Sequence, residues 1–201
     1  MRGVERHGCC PPCQDGCMLE LVGFGTDPDA AAEAATRLGG MAYVNHPTER
    51  DGRPYSAMIR AATDDVEAVR SVSDVGMYVC FSRVIKEPVE EPTVERSIAT
   101  FGLVRNSAMT HRQCDDHWRD THGPLALQMH LAMCDYSQLA VVDTIHGQQI
   151  DGIAMCAFST RSDLSTKFFN DDDAKRAIIK DVTTFSDAAG SPPRVVLQHL
   201  I

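Results

Sequence analysis

The sequence predicts an α+β fold: two tandem ferredoxin-like β-α-β-β-α-β units packed sheet to sheet as one intramolecular α+β barrel. Three observations point there. Short segments with period-two alternation, the mark of half-buried strands, are interleaved with helical patterns. The order β-α-β-β-α-β is read twice, once on each side of a charged, proline-bearing stretch. Each four-stranded sheet with helices on one face leaves its other face bare, and a second such sheet in the same chain can cover it.

The elements follow in order. Residues 18–24, Met-Leu-Glu-Leu-Val-Gly-Phe, alternate as a strand. Asp27 and Pro28 supply an N-cap and a first helical residue for an Ala-rich helix that stops at Gly39-Gly40. A short strand over 41–46, a polar turn over 49–54 and a strand over 55–61 come next. Thr63 or Asp64 caps a second helix carrying Val66, Val69 and Val72, and a strand over 77–85 ends this half. The second half repeats the order: strand 97–105, a helix from Thr110, strand 136–144, strand 151–158, a helical stretch from about Asp163 to Ser186, and strand 194–201. The chain therefore divides into a Cys-rich leader (1–17), a first ferredoxin-like half (18–86), a linker (87–96) and a second half (97–201).

Composition excludes several roles. Of 201 residues, 43% are hydrophobic and 23% charged, which is ordinary globular usage. No apolar run approaches the ~20 residues of a membrane span, and the first residues lack the apolar core of a secretory signal, so the expected setting is cytoplasmic and free of membranes. A net charge of −9 with no basic stripe argues against nucleic acid. Cys9, Cys10, Cys13 and Cys17 form a front cluster containing one Cys-x-x-Cys. The cluster is a disordered leader or, with His7, a zinc or redox site. Cys80, Cys114, Cys134 and Cys156 stand in apolar surroundings and read as buried hydrophobes.

The chemistry concentrates in the second half, where five of the eight histidines lie between His111 and His146. Thr110 and Gln113 make a capping box. Cys114, His117, Trp118 and Thr121 then form one inward stripe, and Gly123-Pro124 breaks the helix, leaving His122 at the break and facing a cavity. Asp116, His117, His122 and His130 are ligand types, but no zinc-binding spacing joins them, and no phosphate-cradling glycine loop is present, so no metal and no cofactor are expected.

Trp118-Arg-Asp-Thr-His-Gly-Pro-Leu-Ala126, after a Thr-capped helix and before the strand opening Asp151-Gly152-Ile-Ala, resembles the EthD family, as do Phe185 and Asp187 before the last strand. The resemblance covers roughly residues 97–201. The first half lacks the Trp-x-x-x-His-x-Pro motif and looks like a degenerate copy. The resemblance implies the dimeric α+β barrel superfamily, in agreement with the element order. It also implies cofactor-free isomerases, cyclases, dehydratases or monooxygenases acting on rings and lactones.

From these residues we expect a cofactor-independent lyase or isomerase acting on a small, partly apolar ring compound. His122 is its general acid/base, because imidazole exchanges protons near neutral pH. His117 is a second catalytic group or a packing residue, and Asp151 a partner for a histidine or a turn residue. Tyr136 orients a substrate oxygen or sits on a rim, and Trp118 is core or pocket wall. Arg105 binds an acidic substrate or is solvated. The alternatives are a small-molecule carrier of the same fold, or a cofactor-free monooxygenase. The barrel closes within one chain, so a homodimer is compatible with it and not required.

Overall fold

Alternating apolar positions become eight strands that close on themselves, in a computed structural model that describes residues 18–46, 52–88, 93 and 95–200. The cysteine cluster expected in the leader lies outside these residues, as do parts of the 49–54 turn and of the linker. The first half contains β1 (Met18–Gly25), α1 (Pro28–Leu38), β2 (Met41–Asn45), β3 (Ala57–Ala62), α2 (Val66–Arg70) and β4 (Gly76–Lys86). The second contains β5 (Ser97–Leu103), α3 (His111–His117), α4 (Gly123–Met129), β6 (Met133–His146), β7 (Gly152–Phe158), α5 (Arg161–Thr166), α6 (Asp172–Phe185) and β8 (Val195–His199). All neighbouring strands are antiparallel, and the barrel runs β1-β3-β2-β8-β5-β7-β6-β4. Within it the first four strands stand in the order β4-β1-β3-β2 and the last four in the order β8-β5-β7-β6. Two seams join the sets. One pairs β2 with β8, Tyr43 opposite His199, and the other pairs β4 with β6, Arg83 opposite Gln138.

Strand alternation sends one set of side chains inward and the other out under the helices. The interior holds Val22, Met58, Tyr78, Cys80, Leu139, Ile153, Val195 and Leu197. Outside the first half, Ala34 and Ala35 of α1 and Val69 of α2 cover Leu21, Ile59 and Met77. The small residues let α1 lie close to the strands. It starts where the sequence places it, with the Asp27 carboxylate accepting from the N–H of Asp29 and Ala30, and ends on Gly39 at φ 63°, the left-handed conformation that suits glycine.

Three expectations are corrected by the structure. Thr63–Asp65 form a 3₁₀ turn with no side-chain cap, and α2 ends at Arg70, so Val72 lies beyond the helix. The helical stretch from 163 to 186 is two helices. Thr160 caps α5 and Asp171 caps α6, and the segment between them is tied to the end of α4 through Asn170, whose side chain accepts from the Leu131 N–H at 2.8 Å and donates to the Gln128 carbonyl at 2.8 Å. Two caps and an external anchor outweigh the helical pattern there.

The third correction concerns Gly123-Pro124, which does not break the chain's helical path. Residues Trp118–His122 form a π turn in which the Gly123 N–H reaches the Trp118 carbonyl, and α4 continues from it. Pro124 has no N–H to return to the preceding turn, and the wider π turn absorbs the mismatch. The extra residue also moves the inward stripe. Thr121 is exposed, while Cys114, Trp118, His122, Ala126 and His130 are all buried. An undistorted helix would rotate by about 160° over those four steps of four residues. The π turn takes much of that drift back, and both His122 and His130 face the sheet.

Candidate active site

A cavity of about 320 Å³ lies between the outer face of β5, β6 and β7 and the helices α4 and α6. Its walls are apolar, from Phe101, Ala154, Cys156, Phe168, Phe169, Ile178, Val182 and Phe185, with His122, His130, Tyr136, Ser186 and Ser191 as the polar groups. Two close approaches shape it. The Trp118 indole packs close against Gly152, where an added Cβ would sit 2.4 Å from Trp118 Cζ3, and a Cβ on Gly102 would stand 2.7 Å from Pro192. The face of the indole is covered from the first half. Arg83 of β4 lies 5.7 Å from the indole centroid and makes a two-pronged ion pair with Asp115 of α3, at 2.6 and 3.0 Å.

One carboxylate on α6 organises the imidazoles. Asp181 Oδ2 lies 2.7 Å from His122 Nδ1, and Asp181 Oδ1 lies 2.8 Å from His117 Nε2. A carboxylate only accepts, so each of those nitrogens carries its hydrogen toward Asp181. For His122, which lines the cavity, this leaves Nε2 as the nitrogen available to a ligand, and it has no hydrogen-bond partner among the described residues. His117 does not line the cavity and stands on the far side of the carboxylate, where Thr184 Oγ1 is 3.3 Å from the same Nε2. Burial would raise the Asp181 carboxyl, but the hydrogen bonds and charge of the two histidines outweigh it and hold the group below the usual carboxylate range. The Phe185 ring packs against both imidazoles, 5.2 Å from His122 and 5.0 Å from His117.

Tyr136 is fully buried at the base of the cavity. Its hydroxyl accepts from Gln138 Nε2 at 3.1 Å, while the same amide donates to the Trp118 carbonyl at 2.9 Å. Gln138 thus ties the π turn to the sheet. Burial pushes the Tyr136 phenol above its usual value and keeps it protonated. Its hydrogen has no acceptor among the described residues.

The structure separates two of the residues picked from the sequence from the rest. Asp151 and Arg105 do not line the cavity. They pair with each other, Arg105 Nη1 at 2.5 Å and the Arg105 backbone N–H at 2.8 Å, and His111 Nδ1 reaches the same Asp151 carboxylate at 2.9 Å. Asp151 lies just before the start of β7, and its charge fastens the β5 end and the start of α3. His122, Trp118 and Tyr136 meet around the cavity, with His117 one step behind. The sequence does not single out Asp181, since one more carboxylate in a helix of mixed charge carries no local signal. The sequence offers His130 only as a metal-ligand type, and the every-fourth-residue run 114, 118, 122, 126, 130 is the signal that could have placed it in the cavity. Among the described residues no three His, Cys, Asp or Glu side chains gather to hold a metal ion.

A closed antiparallel barrel with helices outside and a cavity under the helices of one half defines the α+β barrel class. The family model of the EthD domain matches residues 106–189. No curated protein sequence matches the chain. Among solved structures it is similar to an anthrone oxidase-like protein, with TM-score 0.57 and 8% identity over 92% of this chain and 91% of that one. It is also similar to a mutant chlorite dismutase from Candidatus Nitrospira defluvii, with TM-score 0.51 and 11% identity over 94% and 93%. At such identities the likeness speaks for the fold alone.

Proposed function

We propose that this protein is a cofactor-independent enzyme that moves a proton on a small, partly apolar ring compound, with His122 as general acid and base. The observation that carries the reading is the 2.7 Å contact of Asp181 with His122 Nδ1, because it fixes the tautomer whose Nε2 lone pair serves the cavity. His122 Nε2 takes a proton from a carbon next to a ring carbonyl. The electron pair passes into the carbonyl, whose oxygen receives the Tyr136 hydrogen bond as charge builds on it. In a dehydration, the hydroxyl on the next carbon leaves as water with the proton that His122 has just taken. In an isomerisation or cyclisation that proton returns to another atom of the substrate. His117 acts on Asp181 and positions it. Dehydration is the reaction we favour, which makes the protein a lyase.

The same reading takes residues 18–86 and 97–201 as two ferredoxin-like units joined by a linker at 87–96, the first a degenerate copy of the second. Its support is the repeated strand order, β4-β1-β3-β2 and β8-β5-β7-β6. A cytoplasmic protein acting on a small molecule, without nucleic acid, membrane or resident cofactor, completes it. No described helix is long and apolar enough to cross a membrane. The described lining of the cavity comes from one chain, so the site is compatible with a monomer or a homodimer. The neighbour named anthrone oxidase-like favours a second reading, in which the same carbanion meets dioxygen in a cofactor-free monooxygenase.

The test is deuterium exchange into 1-tetralone at the carbon beside its carbonyl, together with conversion of 3-hydroxy-1-tetralone to 1-naphthol and water, both above the uncatalysed rate. Loss of both in His122→Ala, by about 10²–10⁴-fold, is the expected result for a general base. Tight binding of the ketones with no exchange by the wild type would mean a carrier. Oxygen consumption with anthrone would favour the monooxygenase.

A further inference from the structure

The cavity holds a second imidazole that the proton-transfer scheme does not use. His130 is only 4% exposed and lines the cavity from the end of α4. Its Nδ1 is turned to the Phe168 carbonyl. A carbonyl only accepts, so Nδ1 must carry the hydrogen and Nε2 must be the bare, accepting nitrogen. That nitrogen has no partner among the described residues. The ring packs edge-on to Phe168 at 4.8 Å and tilted against Phe169 at 5.1 Å. Burial, which outweighs the Phe168 hydrogen bond, lowers its basicity, and the nearby His122 lowers it further.

The two cavity histidines are therefore built for different tasks. His122 is backed by the Asp181 carboxylate at 2.7 Å, the geometry of a general base whose Nε2 faces the substrate. His130 is backed by a neutral carbonyl in a dry, aromatic surround, which favours accepting a hydrogen bond without taking the proton. An unpaired acceptor buried among rings asks for a ligand donor beside an aromatic face. The walls supply such faces from Phe101, Trp118, Phe168, Phe169 and Phe185. A volume of about 320 Å³ suits one to three fused rings.

We propose that His130 is a specificity-determining residue that accepts a hydrogen bond from a ring hydroxyl, so that the substrate is a hydroxylated aryl ketone. The inference rests on reading the cavity as a substrate site and names the substrate class for it. A methyl ether at the same ring position cannot donate, and a site built to accept then keeps its unpaired nitrogen.

The experiment is titration calorimetry of the full chain with 6-hydroxy-1-tetralone and 6-methoxy-1-tetralone. Wild type is expected to bind the hydroxy compound roughly tenfold more tightly, the ratio one well-made hydrogen bond supplies. His130→Phe should bring the ratio to within about twofold, whereas His122→Ala should keep it. A wild-type ratio near one, no binding of the hydroxy compound, or a ratio that survives His130→Phe would overturn the proposal. So would a ratio lost in His122→Ala and kept in His130→Phe. Should His130→Phe fail to fold, nitrogen NMR of the wild type decides. The His130 Nε2 resonance should move on adding the hydroxy compound and stay in place on adding the methoxy compound, and an unmoved resonance with both sinks the idea. The two readings fail separately. Deuterium exchange with no hydroxyl preference leaves proton transfer standing without this role for His130, and a hydroxyl preference with no exchange does the reverse.

Discussion

Replacing Asp181 by Asn alters one atom of the carboxylate and tests the centre of the site. The wild-type group accepts at 2.7 Å from His122 and 2.8 Å from His117, with only 12% of its side chain exposed. In Asp181→Asn one of the two histidines meets an amide NH₂ in place of an oxygen. It must lose that hydrogen bond or move its own hydrogen to the opposite ring nitrogen. For His122 the second outcome places the hydrogen on Nε2 and removes the base from the cavity. Exchange into 1-tetralone should fall by about 10²–10⁴-fold, as for loss of a general base. Hydrogen bonds to a charged partner contribute about 1.5–3 kcal/mol each. At about 2–4 °C per kcal/mol for a chain of this size, the melting temperature at pH 7 should drop by about 5–10 °C. The native carboxyl titrates below its unfolded value, so its stabilisation is complete above about pH 4 and disappears as pH falls through the lower native value. The gap between wild type and variant should therefore be full at pH 7 and shrink steadily below pH 4. Melting curves from pH 7 to pH 3, run beside the exchange assay, check both. A variant that melts within 1 °C of wild type and exchanges at full rate would refute the arrangement, and so would a gap that stays constant down to pH 3.

Two other outcomes follow from packing and burial. Gly152→Ala would place a methyl 2.4 Å from Trp118 Cζ3. The indole must shift, so a loss of about 1–3 kcal/mol is expected, with a change in the emission of the single tryptophan. An unchanged melting temperature and spectrum would show that the indole has room. Burial pushes the Cys114 and Cys156 thiols up to about 12. Both should resist iodoacetamide at pH 7.5 in the native protein and react in guanidinium, as read by peptide mass mapping. Prompt native labelling of either would contradict their burial.

How much of this was legible in the sequence depends on how local each signal is. Capping is local, and Asp27, Thr110 and Gln113 act as their spacing predicts, with both hydrogen bonds of the capping box formed. The 163–186 stretch misled because its helical pattern is continuous while its break is imposed from outside, by Asn170 bonding to the end of α4. Thr121 misled for a related reason, since a straight helix puts it inward and the π turn before Pro124 does not. Asp151 reads as a partner for a histidine and is one, but for His111 at the start of α3, away from the cavity and alongside Arg105.

The sequence by itself determined the strand and helix periods and the gathering of histidines between 111 and 146, and it offered His122, which the structure places on the cavity wall. Those depend on neighbours within a few residues, where the 3.6 and 2.0 periods and the chemistry of Pro and Gly act directly. Only the tertiary structure decided which groups share the cavity. Asp181 reaches His122 across 59 positions and His117 across 64, because α6 docks beside the π turn over one half of the closed sheet. His130 meets the Phe168 carbonyl across 38 positions, because Asn170 anchors the segment between α5 and α6 to the end of α4. A periodic pattern reports that a side chain faces inward. Which partner it finds there depends on how the barrel closes and how the helices cross it, and no local stretch of chain contains that information.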